Sequence, residues 1–185
     1  MNYSGIKEYD IANGPGIRVS LFVSGCNFHC KGCFNPETWD FNYGENFTAL
    51  TMKEIVDKVK SDRIAGFSLL GGDPLWQIPW DIFKLTELCK RIKRTGKSIW
   101  IWSGFTWEEI MEKKPESCGT DEEKTILKYR QNLIKECDVW VDGRFVEAQR
   151  DLRLQWRGST NQRVIDVKKS LDSNKIILYE TKEII

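Results

Sequence analysis

Three cysteines fall within eight residues, in the order Cys26-Asn27-Phe28-His29-Cys30-Lys31-Gly32-Cys33. Thiolates at this Cys-x3-Cys-x2-Cys spacing can all turn onto one metal centre if the loop carrying them can curl. Two kinds of centre suit such a donor set. A structural zinc ion would take His29, the only histidine of the chain, as its fourth ligand. His29 is adjacent to Cys30, however, and neighbouring residues rarely reach one tetrahedral ion together. Zinc sites are also commonly built from two separated ligand pairs. A cubane iron–sulfur cluster held by three cysteines leaves one iron open to a ligand, and the spacing leans that way. Cys89, Cys118 and Cys137 are scattered and are expected to be dispensable for the centre.

A second constellation is Gly71-Gly72-Asp73-Pro74. Taken alone, two glycines after an apolar run are only a tight turn. Two glycines also let backbone approach a ligand closely, and their carbonyls together with Asp73 can accept hydrogen bonds from an ammonium group. A metal loop after one strand and an amine-accepting turn after the next would suit an amino-acid-like ligand lying on a cluster.

The elements that must position these residues can be read from apolar periodicity. Residues 19–23 (VSLFV) form a short β-branched run, a buried strand, and Ser24 to about Leu50 is a long loop of the functional kind. Thr51 is read as the cap of a helix whose Met52, Ile55, Val56 and Val59 share a face. Phe67–Leu70 is a second strand, followed by a helix from about Pro79 to Arg94 that buries Cys89. Ser98–Trp102 is a third strand, followed by a short helix over residues 106–113. Residues 114–121 read as an exposed polar connection and 122–136 as a further helix. Val139–Val141 is the next strand, closed by Asp142-Gly143. Arg163–Val167 and Lys175–Tyr179, joined by SLDSN, read as a C-terminal β-hairpin. Alternating strands and helices imply βαβ units and a mostly parallel sheet. Ser103 and Asp142 then end strands on the edge that carries the cysteines and Gly72, which is where α/β sheets build their sites.

Composition bounds the rest. At 185 residues the chain is expected to be one domain, 1–185, on the usual scale of about 100–200 residues per domain. Apolar residues at 41% and aromatics at 12% exclude disorder. The 28 basic and 27 acidic side chains nearly cancel, so no electrostatic footprint for nucleic acid is expected. The longest stretch without a charged side chain, Val19–Cys30, has twelve residues, too few to span a bilayer. The first ten residues lack the pattern of a signal peptide, so the chain is expected to be cytoplasmic with reduced thiols.

The cysteine motif followed by a Gly-Gly-Asp-Pro turn resembles the radical S-adenosylmethionine superfamily. Within it, the chain is similar to the glycyl-radical-enzyme activases of the anaerobic ribonucleotide reductase type. The resemblance runs from about residue 10 to 167 and leaves 168–185 as an extension. It rests on Asn13–Gly16, Leu21–Cys26, Gly32–Asn35, Thr38-Trp39, Gly71–Leu75, Ile99–Gly104, Val141–Phe145 and Trp156–Gln162. Gly32 stands where many radical enzymes carry an aromatic residue, with Phe34 available for that part, and residues 114–128 look like an insertion.

What the resemblance implies is specific. The fold would be an open, partial β/α barrel, shorter than the full eight-unit barrel of about 250 residues. A 4Fe–4S cluster would sit on Cys26, Cys30 and Cys33, with S-adenosylmethionine on its open iron. A low-potential donor such as flavodoxin would supply the electron. Cleavage would yield methionine and a 5′-deoxyadenosyl radical that takes hydrogen from a glycine of the reductase's glycyl radical subunit. Gly32, Cys33 and Phe34 would line the cofactor, Phe34 against adenine unless it is a core residue. The Gly72 turn with Asp73 would receive the methionine amino group, and Ser103 and Asp142 would come next in line. Arg157, Asn161 and Gln162 would close over the cofactor or meet the partner. The competing readings are an activase for another glycyl radical enzyme, such as pyruvate formate-lyase, and a small zinc-stabilised binding protein.

Overall fold

A computed structural model describes residues 1–180 of the chain. Seven strands form one sheet: β1 (Asn2–Asp10), β2 (Arg18–Val23), β3 (Glu45–Asn46), β4 (Gly66–Gly71), β5 (Ser98–Ser103), β6 (Val139–Asp142) and β7 (Arg163–Asp166). Their spatial order is β3-β1-β2-β4-β5-β6-β7, which makes the sheet open. The central β2, β4, β5 and β6 are parallel, and their ends align as Val23 with Gly71 and Ser103 with Asp142. Outer strands β1 and β7 run antiparallel to their neighbours. The fold is therefore α/β with a mixed sheet that is parallel at its centre.

The crossovers between the parallel strands are α1 (Ala49–Val59), α2 (Pro79–Lys93) and α3 (Asp121–Lys135). Alternation along the strands divides the molecule into two faces. Val19, Leu21, Val23, Phe67, Leu69, Ile99 and Ile101 pack under these helices with Ile55, Leu85 and Leu88, all fully buried. Each such side chain contributes roughly 1.5–3 kcal/mol of apolar burial, an upper bound. The other face is more polar. There Arg18 is completely buried and donates to the Ser68 hydroxyl and to the Phe67 and Ser98 carbonyls. Burial without a contacting carboxylate lowers its pKa to about 10. Its guanidinium lies 5.6 Å from the Trp100 ring. Trp156 and Tyr179 close on that same ring, at 4.8 and 5.0 Å.

Several boundaries depart from the sequence reading. Strand β1 was not expected, because its sequence NYSGIKEYD is mostly polar and half exposed; pairing with β2 holds it. The cap of α1 is Thr48 rather than Thr51. Thr51 sits at the third helical position and completes a reciprocal capping box with Thr48. Residues 106–113 form only one wide turn, Glu108–Glu112. Helix α3 begins at Asp121, one residue before the expected start, and Cys118, placed in an exposed connection, is buried.

The C-terminal hairpin is corrected. Its SLDSN turn belongs to a helix, α4 (Val167–Ser173), capped by the Asp166 side chain at the Lys169 amide and ended by left-handed Asn174. The chain still returns beside β7, with Asp166 N–H donating to Ile177 O at 2.9 Å and Tyr179 N–H to Val164 O at 2.8 Å. No helix among the described residues is long and apolar enough to cross a membrane.

Candidate metal centre

The loop that follows β2 carries Cys26, Cys30 and Cys33 along the carboxyl edge of the parallel strands. It is pinned at both ends. Gly25 N–H donates to Thr38 O at 2.8 Å and Cys26 N–H to Trp39 O at 3.2 Å. Cys33 N–H turns back onto Cys30 O at 3.0 Å, so the last two thiols share one tight turn. His29 adopts a left-handed backbone (φ 47°) and lays its ring 4.8 Å from Trp39.

Beneath the loop, Phe28 gathers residues from three further strand ends. Its ring meets Trp76 at 5.4 Å and Phe105 at 4.8 Å, and the Arg144 guanidinium lies 4.4 Å above it. On the far side, Arg130 from α3 covers Phe105 at 4.4 Å and donates to Leu75 O. Gly104 is explained by this packing, since a Cβ there would stand 2.5 Å from the Phe28 ring. Sequence reasoning passed over Phe28, Gln77, Arg130 and Arg144. The available signal was the position of Phe28 between two of the cysteines.

The Gly71-Gly72 turn reaches the loop directly. Gly71 has φ +111°, open to glycine at no steric cost. A Cβ on Gly72 would lie 2.7 Å from the carbonyl oxygens of both Gly25 and Thr38. Asp73 N–H donates to Gly25 O at 2.9 Å, and the Gln77 amide donates to Ser24 O and Asp73 O. Asp73 itself is buried and fully engaged. Its carboxylate accepts from the Ser103 hydroxyl, from Gly104 N–H at 2.7 Å and from Leu75 N–H at 2.8 Å. Burial raises its pKa to about 6 against the opposing effect of those donors.

Asp142 is equally committed. It accepts from Trp107 N–H at 2.8 Å and pairs with Arg163, which also forks onto both oxygens of Glu108. The polar cluster after β6 turns inward as well. Gln162 accepts from Gly158 N–H and donates to Gly143 O, while Asn161 donates to Arg144 O. Arg157 donates to Gln162 O. In contrast, Phe34 is 92% exposed, so it is no core residue, and Gly32 (φ +71°) faces the Glu147 side chain.

Two of the thiols are costly to ionise on their own. Burial pushes the Cys26 thiol up to about 12, with the nearby Asp73 charge adding to it. Burial also raises Cys30, opposed by the Phe145 amide and by Arg144. Thiolates that are this costly alone are stabilised when a metal takes them. Among the described residues no three His, Cys, Asp or Glu side chains gather about a single-ion position. A cubane asks for one thiolate on each of three irons instead, so the spread of the three thiols does not conflict with it. The donor chemistry fits a three-cysteine iron–sulfur cluster.

Comparison with known proteins agrees. Residues 12–165 match a 4Fe-4S single cluster domain. A protein of Vibrio cholerae is 39% identical over 166 residues, covering 88% of this chain and 96% of its own length. One of Escherichia coli strain K12 is 38% identical over the same shares. One of Enterobacteria phage T4 is 36% identical, over 89% of this chain and 93% of its own length. All three carry the name anaerobic ribonucleoside-triphosphate reductase-activating protein. With a single-cluster iron–sulfur domain over most of its length and relatives of one name across nearly all of it, the chain belongs to the family of anaerobic ribonucleoside-triphosphate reductase-activating proteins.

Proposed function

We propose that this chain activates an anaerobic ribonucleotide reductase as a radical S-adenosylmethionine enzyme, installing a radical on a glycine of the reductase. The observation that carries the reading is the Cys26–Cys33 loop on the carboxyl edge of the parallel strands, backed by the Gly72 turn. We read the open sheet as a partial barrel whose mouth admits a loop of another protein. When bound, the 4Fe–4S cluster and S-adenosylmethionine supply reductive sulfonium cleavage, yielding methionine and a 5′-deoxyadenosyl radical that abstracts the glycine hydrogen.

This chain's own residues then have distinct parts. Cys26, Cys30 and Cys33 hold the cluster. The backbone of the Gly71-Gly72 turn faces the cofactor's amino group, and Gly32, Cys33 and exposed Phe34 line the opening, Phe34 against adenine. Asp73, Ser103 and Asp142 are positioning residues, a part supported by the hydrogen bonds that already occupy them. The two carboxylates and the Ser103 hydroxyl lock the turns after β4 and β5, so the cofactor's surroundings need no rearrangement. A low-potential donor such as flavodoxin would deliver the electron, and six cysteines without a disulfide among the described residues suit the cytoplasm.

The test is anaerobic reconstitution with iron and sulfide, then incubation with S-adenosylmethionine, a reductant and the reductase. Electron paramagnetic resonance should show a glycyl radical on the reductase, and deuterium at its glycine Cα should appear in 5′-deoxyadenosine. Deuterium that stays in an activated reductase would overturn direct abstraction. A radical on pyruvate formate-lyase but not on the reductase would reassign the partner.

A further inference from the structure

The two most exposed large apolar side chains among the described residues are Phe34, at 92%, and Leu152, at 85%. They lie on the two segments that meet beside the cysteines. Phe34 follows Cys33, and Leu152 crowns the connection from β6 to β7, which leaves and re-enters the sheet at its carboxyl edge, where Asp142 pairs with Arg163. The two segments touch: Lys31 Nζ is 3.2 Å from Glu147 Oε2, and Gly32 stands against the same side chain.

The segment around Leu152 is braced from within. Arg150 and Ser159 form an antiparallel bridge, Thr160 N–H donates to Gln149 O at 2.9 Å, and Asp151 N–H donates to Gly158 O at 3.3 Å. The Ser159 hydroxyl accepts from Val146 N–H at 3.2 Å, and Gln162 holds Gly158. A rigid loop thus holds an apolar side chain out in water, which is a feature of binding loops. Its charge is also uneven. Residues 146–160 contain three arginines, Arg150, Arg153 and Arg157, against Glu147 and Asp151, an excess of one. Arg153 is paired with Asp151, whereas Arg150 is exposed.

We propose that this 146–160 lip, with Leu152 at its crest and Arg150 beside it, is the docking surface for the reductase. It would take an apolar recess flanked by carboxylates on the reductase polypeptide, next to the residue presented to the cysteine loop. The proposal rests on the functional reading above, which names the occupant: a residue within a protein reaches the Cys26–Cys33 loop only if that protein bears on the segments joined to it. The Lys31–Glu147 contact joins the lip to that loop. The positive excess favours an acidic face over a neutral one.

The experiment uses the full reconstituted chain with Leu152→Asp, Leu152→Met and Arg150→Glu. Affinity for the reductase is measured anaerobically beside bound iron and reductase-free cleavage of S-adenosylmethionine. Leu152→Asp should weaken binding by about tenfold or more, as loss of a central apolar anchor does. Its iron and reductase-free cleavage should stay at the parent level, and its glycyl radical yield should recover at high reductase concentration. Leu152→Met should bind within about threefold of the parent, and Arg150→Glu should weaken binding and flatten its salt dependence. Parent-like affinity in both Leu152→Asp and Arg150→Glu overturns the docking surface. A parent chain that binds the reductase through the lip yet raises no glycyl radical overturns the functional reading and leaves the docking surface standing.

Discussion

The Ser103 hydroxyl reaches both oxygens of the Asp73 carboxylate, at 2.9 Å each, and ties the end of β5 to the turn that follows β4. Two loops that sequence reasoning assigned separately to a ligand are thus one unit. Asp73→Asn keeps the shape but turns an amide N–H₂ toward one of the two backbone donors, Leu75 N–H or Gly104 N–H, which sit on different carboxylate oxygens. The variant should lose about 2–4 kcal/mol of unfolding free energy, whereas Ser103→Ala should lose only about 1 kcal/mol. Chemical denaturation of the metal-free protein checks both. Equal losses would mean that the carboxylate is not the hub.

The cysteines should divide cleanly. Cys26→Ala, Cys30→Ala and Cys33→Ala are each expected to abolish stable cluster binding, read as iron and sulfide per chain. Cys118→Ala should keep its iron although Cys118 is buried, since it lies in the core away from the loop. Iron lost from Cys118→Ala, or retained in Cys30→Ala, would contradict the ligand set.

Gly72 offers a steric test that differs from the one its sequence suggests. A side chain there would not project into open ligand space; it would strike the Gly25 and Thr38 carbonyls, 2.7 Å away. Gly72→Ala should therefore displace the cysteine loop and lower iron retention and thermal stability together. At Gly96 nothing lies within 4 Å, and its φ of +76° alone opposes a side chain. Gly96→Ala should cost about 1 kcal/mol and leave iron content unchanged. The pair is compared by iron analysis and thermal unfolding.

Glu108 supplies a pH dependence. Hydrogen bonding to Arg163 lowers its pKa from 4.5 to about 2. A carboxylate depressed by folding adds stability that is complete above its unfolded value and is lost as pH falls from 4.5 toward 2. Glu108→Gln should flatten the stability profile of the metal-free protein across that window and change little at pH 7 beyond the modest worth of a half-exposed pair. An unchanged acid limb in the variant would refute the coupling.

The sequence by itself determined the βαβ order and the sheet edge on which the three cysteines and the Gly-Gly turn lie. These follow from local signals: three thiols at short spacing, apolar runs with turns after them, and a Gly-Gly turn closing a strand. They survive because periodicity and turn chemistry act within a few residues. What Asp73, Ser103, Asp142, Asn161 and Gln162 do was decided only by tertiary structure. Each is a candidate in the sequence for contact with cofactor or partner, and each makes hydrogen bonds to residues brought near by the fold, such as Asp142 with Arg163 across the β6–β7 pair. Buried polar groups must find partners, and which partners they find is set by strand register and loop packing rather than by neighbours in sequence. The same holds for β1, a mostly polar stretch that is a strand because β2 offers it an edge, and for Phe28, whose role exists only where three other strand ends converge.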